Sequence, residues 1–190
     1  MNGKEVLDAV VATLTKGDTL LYPTDTIWGI GCDAANADAV EKIYALKHRD
    51  HSKSMLILCS DIAMVERFVG EVDERVGELL CASERPTTVI MPLRRSLLAY
   101  NLVAVDGTIG VRIPKMDFCQ QVLQHFGRPL VSTSANLSGC PSPASYAEID
   151  EVLKRRVGFC VPPECEEKTA GRSSRIVKLL SDGSVSVIRE

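Results

Sequence analysis

Little in this chain would take it into a membrane, out of the cell or onto a resident metal. No apolar run reaches the ~18 residues a spanning helix needs, and the stretch Ser96 to Val105 is interrupted by Tyr100 and Asn101. The amino terminus, Met1-Asn2-Gly3-Lys4-Glu5, lacks the basic-then-apolar order of a secretory signal, so the cytoplasm is expected. Cys32, Cys59, Cys81, Cys119, Cys140, Cys160 and Cys165 are odd in number and show no C-x-x-C spacing. That suits reduced, mostly buried thiols better than disulfides or a zinc site. His48, His51 and His125 have no metal-ligand arrangement and read as surface or helix-end residues. Aromatic residues are only 5% of the chain, and the one tryptophan, Trp28, reads as packing. There is no G-x-x-x-x-G-K-[ST] phosphate loop and no Ser-His-Asp spacing. Neither sign of charge dominates: Lys+Arg 22 against Asp+Glu 25 gives −3, which argues against a surface given over to non-specific nucleic-acid binding but allows a local basic pocket.

What is present is enough for one core. A length of 190 residues, 45% of them hydrophobic, fits a single domain over residues 1–190. Helical spacing of Val6, Leu7, Val10, Val11 and Leu14 ends at Gly17, and Asn36 caps a helix over Ala37 to Lys47. Strands are expected at Thr19 to Tyr22, Met55 to Cys59, Thr87 to Met91, Thr108 to Ile113 and Leu130 to Thr133. Helices are expected after Ser60 or Asp61, over Glu74 to Cys81, and through Phe118 to Phe126 with Gly127 as the stop. A capping-box pattern, Ser145-Tyr146-Ala147-Glu148, predicts a helix opening there and running to about Arg155. Strands Arg175 to Leu180 and Val185 to Arg189 flank a Ser181-Asp182-Gly183-Ser184 turn. Interleaved strands and helices give an α/β class, and the terminal hairpin forbids an all-parallel sheet.

Three stretches carry chemistry. Lys47, Arg49 and Lys53 gather cations at the end of a helix, where they either point into water or face an anion. Val131-Ser132-Thr133-Ser134-Ala135-Asn136-Leu137-Ser138-Gly139 crowds hydroxyls and an amide at the carboxyl end of a strand, where open α/β sheets bind ligands. Pro23-Thr24-Asp25-Thr26 leads into Gly29-Ile30-Gly31, whose glycines let backbone approach a ligand closely. Gly29-x-Gly31-x-x-Ala34, with Asp61 as a ribose acid, also matches a dinucleotide fingerprint, but a proline-containing segment stands where that fingerprint should follow the first strand directly. Arg112 lies on an apolar strand beside Pro114 and needs a carboxylate, structural or ligand-borne.

Together these stretches resemble the YrdC-like family of threonylcarbamoyl-AMP synthases. The likeness runs from Tyr22-Pro23-Thr24-Asp25-Thr26-Ile27-Trp28-Gly29-Ile30-Gly31-Cys32-Asp33, through the K-x-R pair Lys47 and Arg49 with Lys53, to Thr108-Ile109-Gly110-Val111-Arg112-Ile113-Pro114 and the S-x-N pair Ser134 and Asn136. It covers about residues 4 to 190, nearly the whole chain. The resemblance implies an open, twisted mixed α/β sheet with helices on its faces and a large basic cavity. It implies a nucleotidyltransferase that condenses L-threonine, bicarbonate and ATP, with Mg²⁺ between phosphate oxygens, into threonylcarbamoyl-AMP and pyrophosphate. The product then serves the modification of adenosine 37 in tRNA. By motif position Thr26, Arg112, Ser134 and Ser174 would contact threonine, and Lys47, Arg49, Lys53, Thr108, Asn136 and Arg189 would contact ATP. No side chain is expected to act as nucleophile. The chain stops at Glu190, after the hairpin, so separate transferase proteins are expected as partners. The other class to weigh is a double-stranded RNA or tRNA binder using the same basic concavity without making the adenylate.

Four positions depart from the family pattern. Ala82-Ser83-Glu84-Arg85-Pro86-Thr87-Thr88 stands where W-P-G-P-x-T is usual. Ser54 follows Lys53 in place of proline, Ala144 replaces a common hydroxyl, and Arg175 replaces the threonine of the usual S-T-[VI]-[VI].

Overall fold

The computed structural model describes residues 1–95, 97–167, 169–180, 182 and 184–190. Its six α-helices are α1 (Gly3–Thr15), α2 (Ala37–Lys47), α3 (Ile62–Phe68), α4 (Glu74–Cys81), α5 (Asp117–Phe126) and α6 (Glu151–Arg156). Its strands are β1 (Leu20–Tyr22), β2 (Gly29–Gly31), β3 (Leu56–Leu58), β4 (Thr87–Pro92), β5 (Thr108–Arg112), β6 (Leu130–Ser134), β7 (Phe159–Cys160), β8 (Arg175–Leu179) and β9 (Val185–Arg189). These nine form one sheet in the order β7-β1-β2-β6-β3-β5-β4-β8-β9. Parallel pairs β1–β7, β3–β5 and β4–β8 are interspersed with five antiparallel ones, so the mixed sheet expected from the terminal hairpin is present.

The side-chain period of two divides this sheet into unlike faces. Val131, Ile57, Val111, Val89 and Val177 lie in one cross-strand row on neighbouring strands, and all five are fully buried. They pack with Val40, Ile43 and Tyr44 of α2, Val65 and Phe68 of α3, and Val76 and Leu80 of α4. The residues between them face the other way. Near one end of that second face, Leu58 and Leu130 are covered by α1 and α5 through Val10, Leu14, Val122 and Leu123. The rest of the face carries Ser132, Leu56, Gly110 and Ile90 in register, and no helix of the described residues closes it.

Caps fix most helix ends. Asn2 and Glu5 form a capping box on α1, Asn36 accepts from Asp38 N and Ala39 N, Asp61 accepts from Met64 N, and Gly127 ends α5 at φ 70°. Asp61 is therefore a helix cap. One expected boundary fails. Ser145 to Glu148 closes a 3₁₀ turn in which Glu148 accepts from Ala144 N, the chain then extends through Ile149, and α6 opens at Asp150, which accepts from Val152 N. Ile149, at 3% exposure, and Leu153 of α6 both pack in the main core. All seven cysteines are free thiols, but only Cys32, Cys59 and Cys119 are buried; Cys81 and Cys140 are exposed. Of the predicted hairpin turn, Ser181 and Gly183 lie outside the described residues. Among the described residues no helix is long and apolar enough to cross a membrane.

Gly31, in β2, is pressed between β1 and β6. A Cβ there would run into the Val131 carbonyl oxygen and the Tyr22 ring. Gly31→Ala is expected to cost about 2 kcal/mol through overpacking, lowering the melting temperature by roughly 4–8 °C; an unchanged thermal melt by circular dichroism would contradict this packing.

Candidate active site

A cavity of about 280 Å³ opens on the uncovered face of the sheet. Its lining includes Thr24, Thr26 and Trp28 from the β1–β2 loop, Arg49 and Ser54 after α2, Ser132 and Ser134 of β6, Thr108, Gly110 and Arg112 of β5, Thr88 of β4, and Ser174 and Arg189 from the terminal hairpin. Three of the described lining residues are arginines and none is acidic. Gly110 keeps the floor flat: a Cβ there would meet the Leu56 Cβ and the Thr88 Cγ2 at 3.3 Å each.

The β1–β2 loop is polar, yet it is buried, because its groups satisfy one another. Thr24 Oγ1 donates to the Ile27 carbonyl at 2.7 Å and lies 2.8 Å from Thr26 Oγ1. Asp25 Oδ1 accepts from Arg112 Nη1 at 2.5 Å, and Asp25 Oδ2 accepts from Lys115 N at 3.2 Å. Arg112 Nη1 also donates to Thr26 Oγ1 at 3.1 Å. Both ionic partners are out of water, Arg112 at 3% and Asp25 at 8% exposure. The carboxylate that Arg112 requires is thus a structural one, and its Nε is buried without a hydrogen-bond partner. A ligand carboxylate would meet a guanidinium already oriented by Asp25.

The K-x-R spacing has a backbone cause. His48 ends α2 in the left-handed region at φ 49°, with Arg49 N donating to the Tyr44 carbonyl at 3.0 Å. The turn separates its neighbours. Arg49 lines the cavity, held by the carbonyls of Lys53 and Ser54 at 2.9 and 2.8 Å. Lys47 is 1% exposed and donates to the carbonyls of Ser134 and Asn136. Burial first, and the like charge of Arg49 second, pull the Lys47 pKa down to about 8. Arg49 is shifted down as well, chiefly by burial. The ammonium therefore clamps the loop that follows β6. Within that loop Ser134 Oγ donates to Asn136 Oδ1 at 2.5 Å, and Asn136 Nδ2 donates to the Cys140 carbonyl at 2.6 Å.

Of the ten residues singled out in the sequence, Thr26, Arg49, Thr108, Arg112, Ser134, Ser174 and Arg189 line the cavity. Lys47 and Asn136 stand behind the lining through their bonds to or with Ser134. Lys53 is exposed and meets the site through its carbonyl on Arg49. Thr108 Oγ1 donates to Asp106 Oδ1 at 2.6 Å, and Asp106, which also receives Lys178, is held down at about 2. Ser174 Oγ lies 2.8 Å from Thr88 Oγ1, and its carbonyl accepts from Arg189 Nη2 at 2.8 Å. Asp25 and Ser132 fell within the stretches singled out in the sequence, and Thr88 within the segment that departs from the family pattern, but none of the three was given a role. Trp28 packs at 4.9 Å against Tyr146, as expected, and also forms part of the cavity wall. Among the described residues no group of three or more His, Cys, Asp or Glu is placed to hold a metal, and Asp25 is committed to Arg112.

Comparison with known proteins agrees with this architecture. Residues 12–190 match the family model of Sua5, YciO and YrdC, described as Telomere recombination. A threonylcarbamoyl-AMP synthase of Xanthomonas campestris is 33% identical over 187 residues, 93% of this chain and 97% of its own. One from Pseudoalteromonas translucida is 30% identical over 165 residues, 85% of this chain and 87% of its own. Among solved structures, Escherichia coli YciO superposes with a TM-score of 0.83 at 23% identity, over 100% of this chain and 90% of its own. The Pyrococcus abyssi Sua5 crystallised with L-threonine gives 0.87 at 21% identity over 100% of this chain, which spans 54% of that protein.

Asp25→Asn keeps the shape of the β1–β2 loop and removes the counter-charge of a buried guanidinium. The expected loss is about 3 kcal/mol of unfolding free energy, read by urea denaturation; a loss under about 1 kcal/mol would mean that Arg112 is neutralised elsewhere.

Proposed function

The chain belongs to the Sua5, YciO and YrdC family, and from that premise we propose that residues 1–190 work as one unit, an L-threonylcarbamoyladenylate synthase acting in the cytoplasm. The reaction joins L-threonine, bicarbonate and ATP into threonylcarbamoyl-AMP and pyrophosphate, for transfer to adenosine 37 of tRNA by separate transferase proteins. The carrying observation is a cavity lined by Arg49, Arg112, Arg189 and a series of hydroxyls, with no acid among its described lining residues. The names of the relatives at 30% and 33% identity support the same reading.

A triphosphate brings about four negative charges, which Arg49, Arg189 and the Lys47 ammonium would meet, with Lys53, Thr108 and Asn136 at its edges. Magnesium enters as part of the nucleotide substrate, bound to its phosphate oxygens. Thr26, Ser134 and Ser174 would hold the amino acid while Arg112, steadied by Asp25, takes its carboxylate. The threonine amine adds to the carbon of bicarbonate and water leaves, giving a carbamate. A carbamate oxygen then attacks the α-phosphorus, and the bond to the departing pyrophosphate breaks. No side chain forms a covalent intermediate. The chain contributes proximity, which alone can supply ~7–11 kcal/mol, and fixed positive charge.

Purified protein with MgATP should release pyrophosphate only when both L-threonine and bicarbonate are present. Arg49→Ala should lose on the order of a hundredfold in rate while keeping its circular dichroism spectrum. Arg49 is the cleaner test, because removing Lys47 also strands the carbonyls of Ser134 and Asn136. Release without threonine, or none with ATP binding intact, would defeat the synthase assignment and favour a duplex-RNA binder, whose affinity would fall steeply with salt.

A second outcome concerns pH. Bound phosphate favours the charged form of Lys47, and free Lys47 gives up its proton near 8. ATP affinity measured by calorimetry should therefore weaken as pH rises from about 7 to about 9. In Lys47→Met it should be weaker throughout and lack that slope.

A further inference from the structure

A hydroxyl has a single hydrogen to give and a pair of lone pairs to offer, so the partners of Thr24 and Thr26 settle which of them can serve a ligand. Thr24 Oγ1 lies 2.7 Å from the Ile27 carbonyl, which can only accept, so the Thr24 hydrogen points there. The 2.8 Å bond between Thr24 Oγ1 and Thr26 Oγ1 must then be donated by Thr26. Thr24 Oγ1 also accepts from Thr26 N at 3.2 Å. With its hydrogen and both lone pairs in use, Thr24 has nothing left for a ligand, although it lines the cavity.

Thr26 is in the opposite position. Its hydrogen is taken by Thr24, one lone pair receives Arg112 Nη1 at 3.1 Å, and among the described residues no donor reaches the other. Thr26 also lines the cavity, so what it shows a ligand there is an acceptor. Ser134 is turned the same way: its Oγ donates to Asn136 Oδ1 at 2.5 Å, while Asn136 Nδ2 donates to the Leu137 and Cys140 carbonyls at 3.1 and 2.6 Å. Arg112 decides what the Thr26 acceptor is for. A guanidinium takes a carboxylate, and in an α-amino acid the amine sits on the carbon next to that carboxylate. Because Thr26 Oγ1 is itself bonded to Arg112, a carboxylate on this guanidinium brings the amine alongside the open lone pair of Thr26. A neutral oxygen receives an N–H without the charge of a carboxylate, which would hold the amine as ammonium and withhold the electron pair that attacks bicarbonate.

We propose that Thr24 is a positioning residue: it draws the Thr26 hydroxyl hydrogen toward itself, so that Thr26 Oγ1 meets the substrate as an acceptor and takes an N–H of its α-amine. That the amine is the one on L-threonine rests on the synthase reading.

The test is calorimetric titration of the full chain, without ATP or bicarbonate, with L-threonine and with (R)-3-hydroxybutyrate, which keeps the carboxylate and the β-hydroxyl and lacks the amine. Wild type should prefer L-threonine by about tenfold or more. Thr24→Val should cut that preference to under about threefold by weakening L-threonine while leaving the analogue within about twofold. Thr24→Ser, which keeps the hydroxyl, should restore it. Thr26→Val should lose the preference too, and adding Thr24→Val to it should change the preference no further, because Thr24 acts through Thr26. A Thr24 that only supported the loop would weaken both ligands alike. Thermal melts check that each variant is folded. The proposal is overturned if wild type does not bind L-threonine or shows no preference for it, if Thr26→Val or Thr24→Val keeps the preference, if Thr24→Val weakens both ligands equally, or if Thr24→Ser fails to restore it. A lack of threonine-dependent pyrophosphate release with this calorimetric pattern intact would sink the synthase reading and leave the role of Thr24 standing. Normal release without the pattern would sink the role of Thr24 alone.

Discussion

A guanidinium nearly sealed from water must have a counter-charge close by, and Arg112 finds it in Asp25, 87 residues earlier in the chain. Much of the site follows from that pairing. Arg112 stands at the end of β5, while Asp25 belongs to the loop between β1 and β2, and β6 and β3 lie between those strands in the sheet. To reach its partner the loop must lie across the sheet's open face. There it becomes a cavity wall, with Thr24 and Thr26 locked to each other and Trp28 packed at its end. Without the ion pair, a short segment of threonines and an aspartate has no reason to leave water.

The second constraint is the two-residue period of the strands. The row from Val131 to Val177 is uniformly apolar and faces α2, α3 and α4, so this face would bind helices whatever lay on the other. The opposite row mixes Ser132, Leu56, Gly110 and Ile90, and Arg112 and Thr88 lie further along the same face. That pattern is poor at binding a helix, and only the end bearing Leu58 and Leu130 recruits α1 and α5. The cavity is the part of the sheet that the chain declines to cover.

How much of this was legible depends on the range of the forces involved. Helices with a cap and a stop, such as the one between Asn36 and His48, are local events and could be read directly. The box at Ser145 to Glu148 was read wrongly as a helix start: the Ser145 side chain caps nothing, Glu148 accepts from Ala144 N, and the α-helix begins only after Asp150, because a local pattern does not fix which backbone groups its side chains reach. β7 has two residues and is held by backbone pairing to β1, which leaves no pattern in side chains. In the site, the cations and hydroxyls stood out by type. What could not be read was which of them touch: the Lys47 ammonium, expected at the nucleotide, also binds two carbonyls of the loop after β6. The meeting of Arg112 and Arg189 in one cavity depends on the directions of β5, β4, β8 and β9, which are known only once the sheet is.

The alternation of faces along each strand has an evolutionary consequence. Neighbouring residues such as Val131 and Ser132, or Val111 and Gly110, answer to different demands: one to the stability of the fold, the other to whatever occupies the cavity. Substitutions on the cavity rows can therefore accumulate without passing through an unfolded ancestor. A lineage can keep this sheet while it retunes, weakens or exchanges the chemistry above it, and solved relatives that share the architecture at little more than a fifth sequence identity are what such separable selection would leave behind.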